Sequence, residues 1–152
     1  MKRFIPVACH AFLFLVMLLA VSSTLAQQAK SDPLAEVKAV LDSQVTAWNT
    51  GAPNKAMSIY YDSPDMLWVS RTGIRKGYEP IRATYQRVSA QASRLGTYSY
   101  EPLHIEQLSR DCVFFVIKWK IEQNGRSSMS GVSSMVWKRI SRKWVVAAEH
   151  AS

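Results

Sequence analysis

The sequence predicts an α+β domain, and three observations carry that expectation. Residues Cys112–Gln123 (CVFFVIKWKIEQ) alternate, with Val113, Phe115, Ile117, Trp119 and Ile121 on one face and Lys118, Lys120 and Glu122 on the other. That alternation is a strand with one buried face. Asn124-Gly125 follows at once, a dipeptide suited to the two positive φ angles of a type I′ hairpin. The chain therefore returns as a strand over 127–140 and, after Ser141-Arg142-Lys143, as another over 144–151. Upstream the apolar spacing becomes helical, at Leu34, Val37, Leu41, Val45 and Trp48 and again at Tyr78, Ile81, Tyr85, Val88, Ala92 and Leu95. Helices first and an antiparallel meander afterwards make a layered α+β domain in which the helices cover one sheet face.

Taken in order, the chain opens on a targeting signal. Lys2 and Arg3 supply positive charge and Phe4 to Val21 are mainly apolar. Ser22-Ser23-Thr24-Leu25-Ala26 then offers small residues, with Thr24 and Ala26 where a signal peptidase reads. The expected division is a signal peptide over 1–26, a disordered polar lead-in over 27–33 (QQAKSDP) and one domain over 34–152. An uncleaved apolar run would barely span a bilayer, and the cleavage site behind it favours removal. The mature chain is thus expected to be exported, periplasmic or secreted, with no integral membrane segment. Cys9 stands at the start of the apolar run, not behind it, which argues against lipidation.

Removing residues 1–26 leaves 126 residues and, with Lys2 and Arg3 gone, lowers the net charge from +8 to +6. Cys112 is then the one remaining cysteine, so no internal disulfide is available and the core alone must hold the domain. Cys112 reads as a small apolar residue at a strand start. Five tryptophans and six tyrosines in so short a chain point to a large aromatic interior or a lined cavity.

Within the domain, Ser31 or Asp32 can cap the first helix, with Pro33 in a first turn that needs no N–H from it. Gln44 lies on the apolar stripe one turn before Trp48, and a long amide facing a core must be satisfied or must face a cavity. Gly51 closes that helix, and a second runs from Pro53 to Tyr61 with Ala56, Ile59 and Tyr60 inward. It stops at Asp62-Ser63-Pro64-Asp65. Met66 to Ser70 is a short strand carrying Trp68, and Arg71-Thr72-Gly73 turns the chain. Gly77 precedes the third helix, with Pro80 in its first turn, and Gly96 is placed to end it. Tyr98 to Leu108 is the next strand. A twisted sheet of long strands curls around the helix packed in it and leaves an open end, which is a cavity.

These residues fall in a familiar order. Trp48-Asn49-Thr50-Gly51, Ala56-Met57 to Tyr60, Asp62, Gly73, Gly77 to Ile81, and Trp144 to Ser152 together resemble the nuclear transport factor 2-like superfamily in its SnoaL-like branch, over about residues 34–152. The resemblance implies a cone-shaped barrel with three N-terminal helices packed in a curved antiparallel sheet. It also implies a pocket between sheet and helices, and commonly a homodimer through the outer sheet face. The family includes ketosteroid isomerases, polyketide cyclases, dehydratases, epoxide hydrolases and non-catalytic assembly domains, so the fold implies a pocket without fixing a reaction. Gly51-Ala52-Pro53-Asn54 lacks the acidic cap usual for the second helix. The isomerase constellation is also missing: its positions hold Val69-Ser70 and Gln44, and no Asp or Glu stands between Ser127 and Ala148.

His150 is the candidate acid or base, because strand parity places it with Trp144, Val146 and Ala148 on the face taken as concave and Glu149 on the other. The blander role for His150 is a neutral imidazole closing the sheet end. The expected ligand-binding residues are Gln44, Trp48, Tyr60, Trp68, Tyr85 and Trp119, all of which would otherwise serve as core. His104 shares a face with Tyr100 and Glu106 by the same parity and reads as structural. No His, Cys, Asp and Glu cluster has metal spacing, no glycine-rich loop suits phosphates and no Ser-His-acid set is discernible, so neither metal nor cofactor is expected. Lys118, Lys120, Lys138, Arg139, Arg142 and Lys143 read as a basic rim near one end of the meander, either solvated or anion-attracting. Nucleic acid is a poor partner for an exported protein. The expected function is binding of a small, largely apolar molecule in an aromatic-lined pocket. The alternatives are an isomerase, dehydratase or cyclase using His150, and an assembly module that buries Phe114, Val116 and Val136 against a second copy.

Overall fold

The computed structural model describes residues 32–90 and 96–152. The expected signal peptide, the lead-in as far as residue 31, and the last turn of the third helix with its Ala92 and Leu95 lie outside the described residues, as do the side chains of Val88 and Ser89. The elements run α1 (Pro33–Asn49), α2 (Pro53–Met57), β1 (Leu67–Ser70), β2 (Gly73–Lys76), α3 (Tyr78–Ser89), β3 (Thr97–Ser109), β4 (Cys112–Gln123), β5 (Arg126–Ile140) and β6 (Lys143–Ala151). Among the described residues no helix is long and apolar enough to cross a membrane.

The strands form one sheet in the order β2-β1-β6-β5-β4-β3. The meander from β3 to β6 is antiparallel as expected. The sheet as a whole is mixed, because β1 joins β6 in parallel and β2 adds to the edge of β1. β2 escaped the sequence because its four residues expose Ile74 at 70% and show no alternation. Asn124 (φ 52°) and Gly125 (φ 75°) make the expected turn, and Ser141 (φ 49°) and Arg142 (φ 66°) make a second turn with positive φ at both central residues without a glycine.

α1 begins where Asp32 Oδ1 accepts the Leu34 N–H at 3.0 Å, and it buries Val37, Leu41, Gln44, Ala47 and Trp48. α2 ends at Met57, four residues earlier than expected, and its Ala52 cap offers no side-chain oxygen. The segment that follows runs along β6 instead, with Val146 N–H donating to Ile59 O at 2.8 Å and Tyr61 N–H to Val146 O at 2.9 Å. At the other end of α1 the Asn49 amide acts as a rung of the ladder, donating to Tyr98 O at 2.9 Å and accepting from Tyr98 N–H at 2.8 Å. Asn49→Ala is expected to cost about 1–2 kcal/mol, since two exposed hydrogen bonds are lost together. An unchanged urea midpoint would mean that water replaces the amide at no cost.

Two bulges reset which residues face inward. In β3 the register slips between Pro102 and His104, so Tyr100 faces the core while His104 faces out. Tyr100 packs edge-on against Phe115 at 6.3 Å and donates to Asp42 Oδ1 on α1 at 2.6 Å. His104 is exposed, 3.4 Å from Glu106, so the expected common face of Tyr100 and His104 does not exist. In β6 Trp137 pairs with Val146 and Val136 with Ala148, which leaves Ala147 as the extra residue. The slip falls where β6 changes its neighbour from the 59–61 segment to β1.

One end of the sheet is filled. Val37, Met57, Val113, Phe115 and Trp137 are fully buried there. Its rim is closed by Glu36, whose carboxylate accepts from Arg139 Nη2 and Trp144 Nε1, each at 2.6 Å, while the Arg139 guanidinium lies 4.6 Å over the Trp144 ring. The basic residues do not all share that end. Lys138 pairs with Cys112, whereas Lys118 and Lys120 pair with Val132 and Ser130 towards the opposite end, and Lys120 is bonded to Glu122 at 2.8 Å. The expected single rim is two separated groups.

Candidate functional site

At the end away from Glu36 the interior is hollow. A cavity of about 280 Å³ lies between α1, α3 and the sheet. All six residues expected from sequence line it: Gln44 and Trp48 from α1, Tyr60 after α2, Trp68 from β1, Tyr85 from α3 and Trp119 from β4. Trp48 meets Tyr85 edge-on at 5.4 Å and Tyr60 meets Trp68 at 5.8 Å, so neighbouring rings brace one another. Ile117 and Ile121 extend the apolar wall.

The bulge at Ala147 decides which ionisable side chain enters. Beyond it Glu149 takes the inward position, 7% exposed, and lines the cavity. His150 pairs with Ser134, is exposed and does not line the cavity. The placement of His150 on the concave face and Glu149 outside is therefore corrected. Parity counting assumes an unbroken ladder, and one extra residue reverses every side chain after it.

Around Glu149 a buried polar chain runs between helix and sheet. Gln44 Nε2 donates to Tyr60 Oη at 3.2 Å, and Tyr60 Oη donates to Glu149 Oε2 at 2.9 Å. Ser133, also buried, lines the cavity beside the same carboxyl and favours its charged form. Gln44 thus resolves the choice left by the sequence, since it is a satisfied amide that also faces the cavity. Burial raises the Glu149 carboxyl above its ordinary value of 4.5, and the bonds from Ser133 and Tyr60 offset that only in part. Burial also pushes the Tyr60 phenol well up, the nearby Glu149 charge adds to the rise, and the Gln44 bond opposes it. Tyr85 and Tyr98 are raised by burial first and by Glu149 second. The three phenols therefore stay neutral and keep their O–H donors at physiological pH, while the carboxyl is biased towards its neutral form.

Sequence reasoning missed Glu149, Ser133 and Arg75, which also line the cavity. The signal for Ser133 was present in the β5 alternation, whereas Glu149 was hidden by the bulge and Arg75 by the unrecognised β2. Among the described residues no three His, Cys, Asp or Glu side chains lie close enough to hold a metal ion.

No protein-family profile and no curated protein matches the chain. Solved structures do match. A Shewanella oneidensis MR-1 protein described as NTF-2 like and of unknown function superposes with a TM-score of 0.74 at 23% identity, over 80% of this chain and 99% of that one. The fold is nuclear transport factor 2-like. A Pseudomonas putida KT2440 protein described as NTF2-like and of unknown function matches the same nuclear transport factor 2-like architecture at a TM-score of 0.63 and 15% identity, covering 78% of this chain and 84% of that one. An Erwinia carotovora atroseptica protein described as ketosteroid isomerase-like matches at 0.58 and 17%, covering 80% and 96%. At these identities the likeness is one of fold. The α+β class and the superfamily resemblance read from the sequence agree with it, and the SnoaL-like branch is compatible with it.

Proposed function

We propose that this nuclear transport factor 2-like domain binds one small, largely apolar molecule in the hollow end of its cone, with Tyr60 and Glu149 holding the molecule's polar group. The observation that carries this reading is the cavity wall: mostly aromatic and aliphatic, with Gln44, Tyr60 and Glu149 joined in one hydrogen-bonded group. Burial raises the Glu149 carboxyl, and in its protonated form it has one O–H of its own to donate, which suits a carbonyl or hydroxyl oxygen. Trp48, Trp68 and Trp119 line the cavity, so an occupant should quench tryptophan fluorescence. Titration with 4-phenylphenol is expected to quench that signal and raise Tm. Tyr60→Phe is expected to weaken the phenol roughly tenfold while weakening biphenyl less, because only the phenol has a hydroxyl that can donate to the lost Tyr60 oxygen. Neither quenching nor stabilisation by either probe would remove the proposal.

The enzymatic alternative assigns the acid/base role to Glu149 in place of His150, in an isomerase, dehydratase or cyclase type of reaction. It is favoured by the raised carboxyl at the cavity wall, a group that holds its proton to higher pH than an ordinary carboxyl and is placed for proton transfer. Abolished turnover in Glu149→Gln with retained turnover in His150→Ala is the expected pattern. As partner and place we propose a homodimer through the outer sheet face, where Phe114, Val116 and Val136 are half-buried and Val132 is exposed, in an exported protein, periplasmic or secreted. A monomer by light scattering at high concentration, or a mature chain still beginning at Met1, would count against the respective halves.

A further inference from the structure

We infer that the molecule held in the cone is an apolar acid, its carboxylate bound by Arg75 on β2 and an uncharged oxygen at its other end bound by Tyr60 and Glu149. This inference rests on the cavity reading above and names the class of ligand. Strand pairing sets Arg75 opposite Trp68 on β1, and Trp68 opposite Glu149 on β6. The three side chains form one row across the inner face, with the Trp68 indole between the two polar ends. Neighbouring strands lie about 4.8 Å apart, so the backbones of Arg75 and Glu149 are roughly 10 Å apart. That is the span of two linked aromatic rings with a polar group at each end.

Arg75 and Glu149 are the two residues of charged type that line the cavity. On β2 the neighbours of Arg75 turn elsewhere: Ile74 is exposed, and Lys76 is 3.5 Å from Asp65. Among the described residues Arg75 makes no ion pair. Glu149 is taken up by the Tyr60 hydroxyl and biased by burial towards its neutral form, so it leaves the guanidinium uncompensated. A half-buried guanidinium beside an apolar wall favours an anion, and its planar fork matches a carboxylate with two parallel hydrogen bonds. A cationic amphipath would meet repulsion at the same place.

The test compares 4′-hydroxybiphenyl-4-carboxylate with 4-phenylphenol and biphenyl by calorimetric titration of the wild-type protein and of Arg75→Gln and Arg75→Lys. At low salt the acid is expected to bind roughly ten- to a hundredfold more tightly than the phenol, as a charged hydrogen-bonded pair predicts. That ratio should shrink as ionic strength rises, fall to near one in Arg75→Gln and stay intermediate in Arg75→Lys. The ratio is taken within each variant, so a general loss of stability does not imitate the effect. Equal binding of acid and phenol by the wild type, or a preference that survives Arg75→Gln, overturns this inference and leaves the cavity reading standing. If none of the three probes binds, both fall.

Discussion

A single methyl group added at Gly131 is expected to cost the domain about 1–3 kcal/mol and to shrink its cavity at the same time. Gly131 pairs with Trp119 in β4, and the chain beyond β6 passes beside it, with Ser152 N–H donating to Val132 O at 2.9 Å and Val132 N–H to Ser152 O at 3.0 Å. A Cβ on Gly131 would fall on the Ser152 carbonyl oxygen and stand 2.8 Å from Trp119 Cζ2. A residue whose N–H and carbonyl are both bonded to Val132 has little room to yield. Either the 152 segment leaves β5, or the Trp119 indole swings into the space a ligand would use. For a domain of this size Tm should fall by roughly 5–15 °C. Scanning calorimetry of Gly131→Ala beside a 4-phenylphenol titration reads both effects, and an unaltered Tm with unaltered affinity would show that neither neighbour is packed against the glycine.

Replacing Glu149 with glutamine should make the domain more stable than the wild type, and only above a certain pH. The folded protein holds the Glu149 proton more tightly than the unfolded chain does, because burial penalises the charge. Below the ordinary carboxyl value of 4.5 both states are protonated, and the glutamate costs nothing extra. As pH rises past that value the unfolded chain ionises first, and stability drains away until the folded carboxyl ionises too. The substituted amide cannot titrate and keeps a carbonyl for the Tyr60 O–H. The difference in Tm between Glu149→Gln and wild type should therefore be near zero in acid, grow with pH and level off above the raised folded value. A difference that stays constant with pH would mean that Glu149 titrates alike in both states.

The parts of this molecule that were legible in the sequence are those written in long regular periods. β4 to β6 announced themselves by alternation and by Asn124-Gly125, and α1 by a stripe that also delivered Gln44 and Trp48 to the cavity. What failed was any inference that needed the count to continue across an irregularity. Leu103 separated Tyr100 from His104, and Ala147 exchanged His150 for Glu149. The bulge falls where one edge of β6 passes from the 59–61 segment to β1, and no local pattern records that change of partner. β2 and the parallel direction of β1 were invisible for a related reason, since both depend on a neighbour far along the chain. Positions 69–70, 44 and 127–148 hold no carboxylate, yet an acid stands one position beyond the last of them.

The pairing of Leu67 with Ala148 bears on how the protein folds and breathes. The meander can form from contacts between consecutive hairpins, whereas the wall carrying Trp68 and Arg75 must wait until the far end of the chain arrives, at the entropic cost of closing a long loop. Those two four-residue strands are also the cheapest part of the sheet to peel away. Amide exchange in residues 67–76 should accordingly outpace exchange in residues 113–121, and on the proposed binding reading fraying of this wall would set how quickly an occupant enters and leaves.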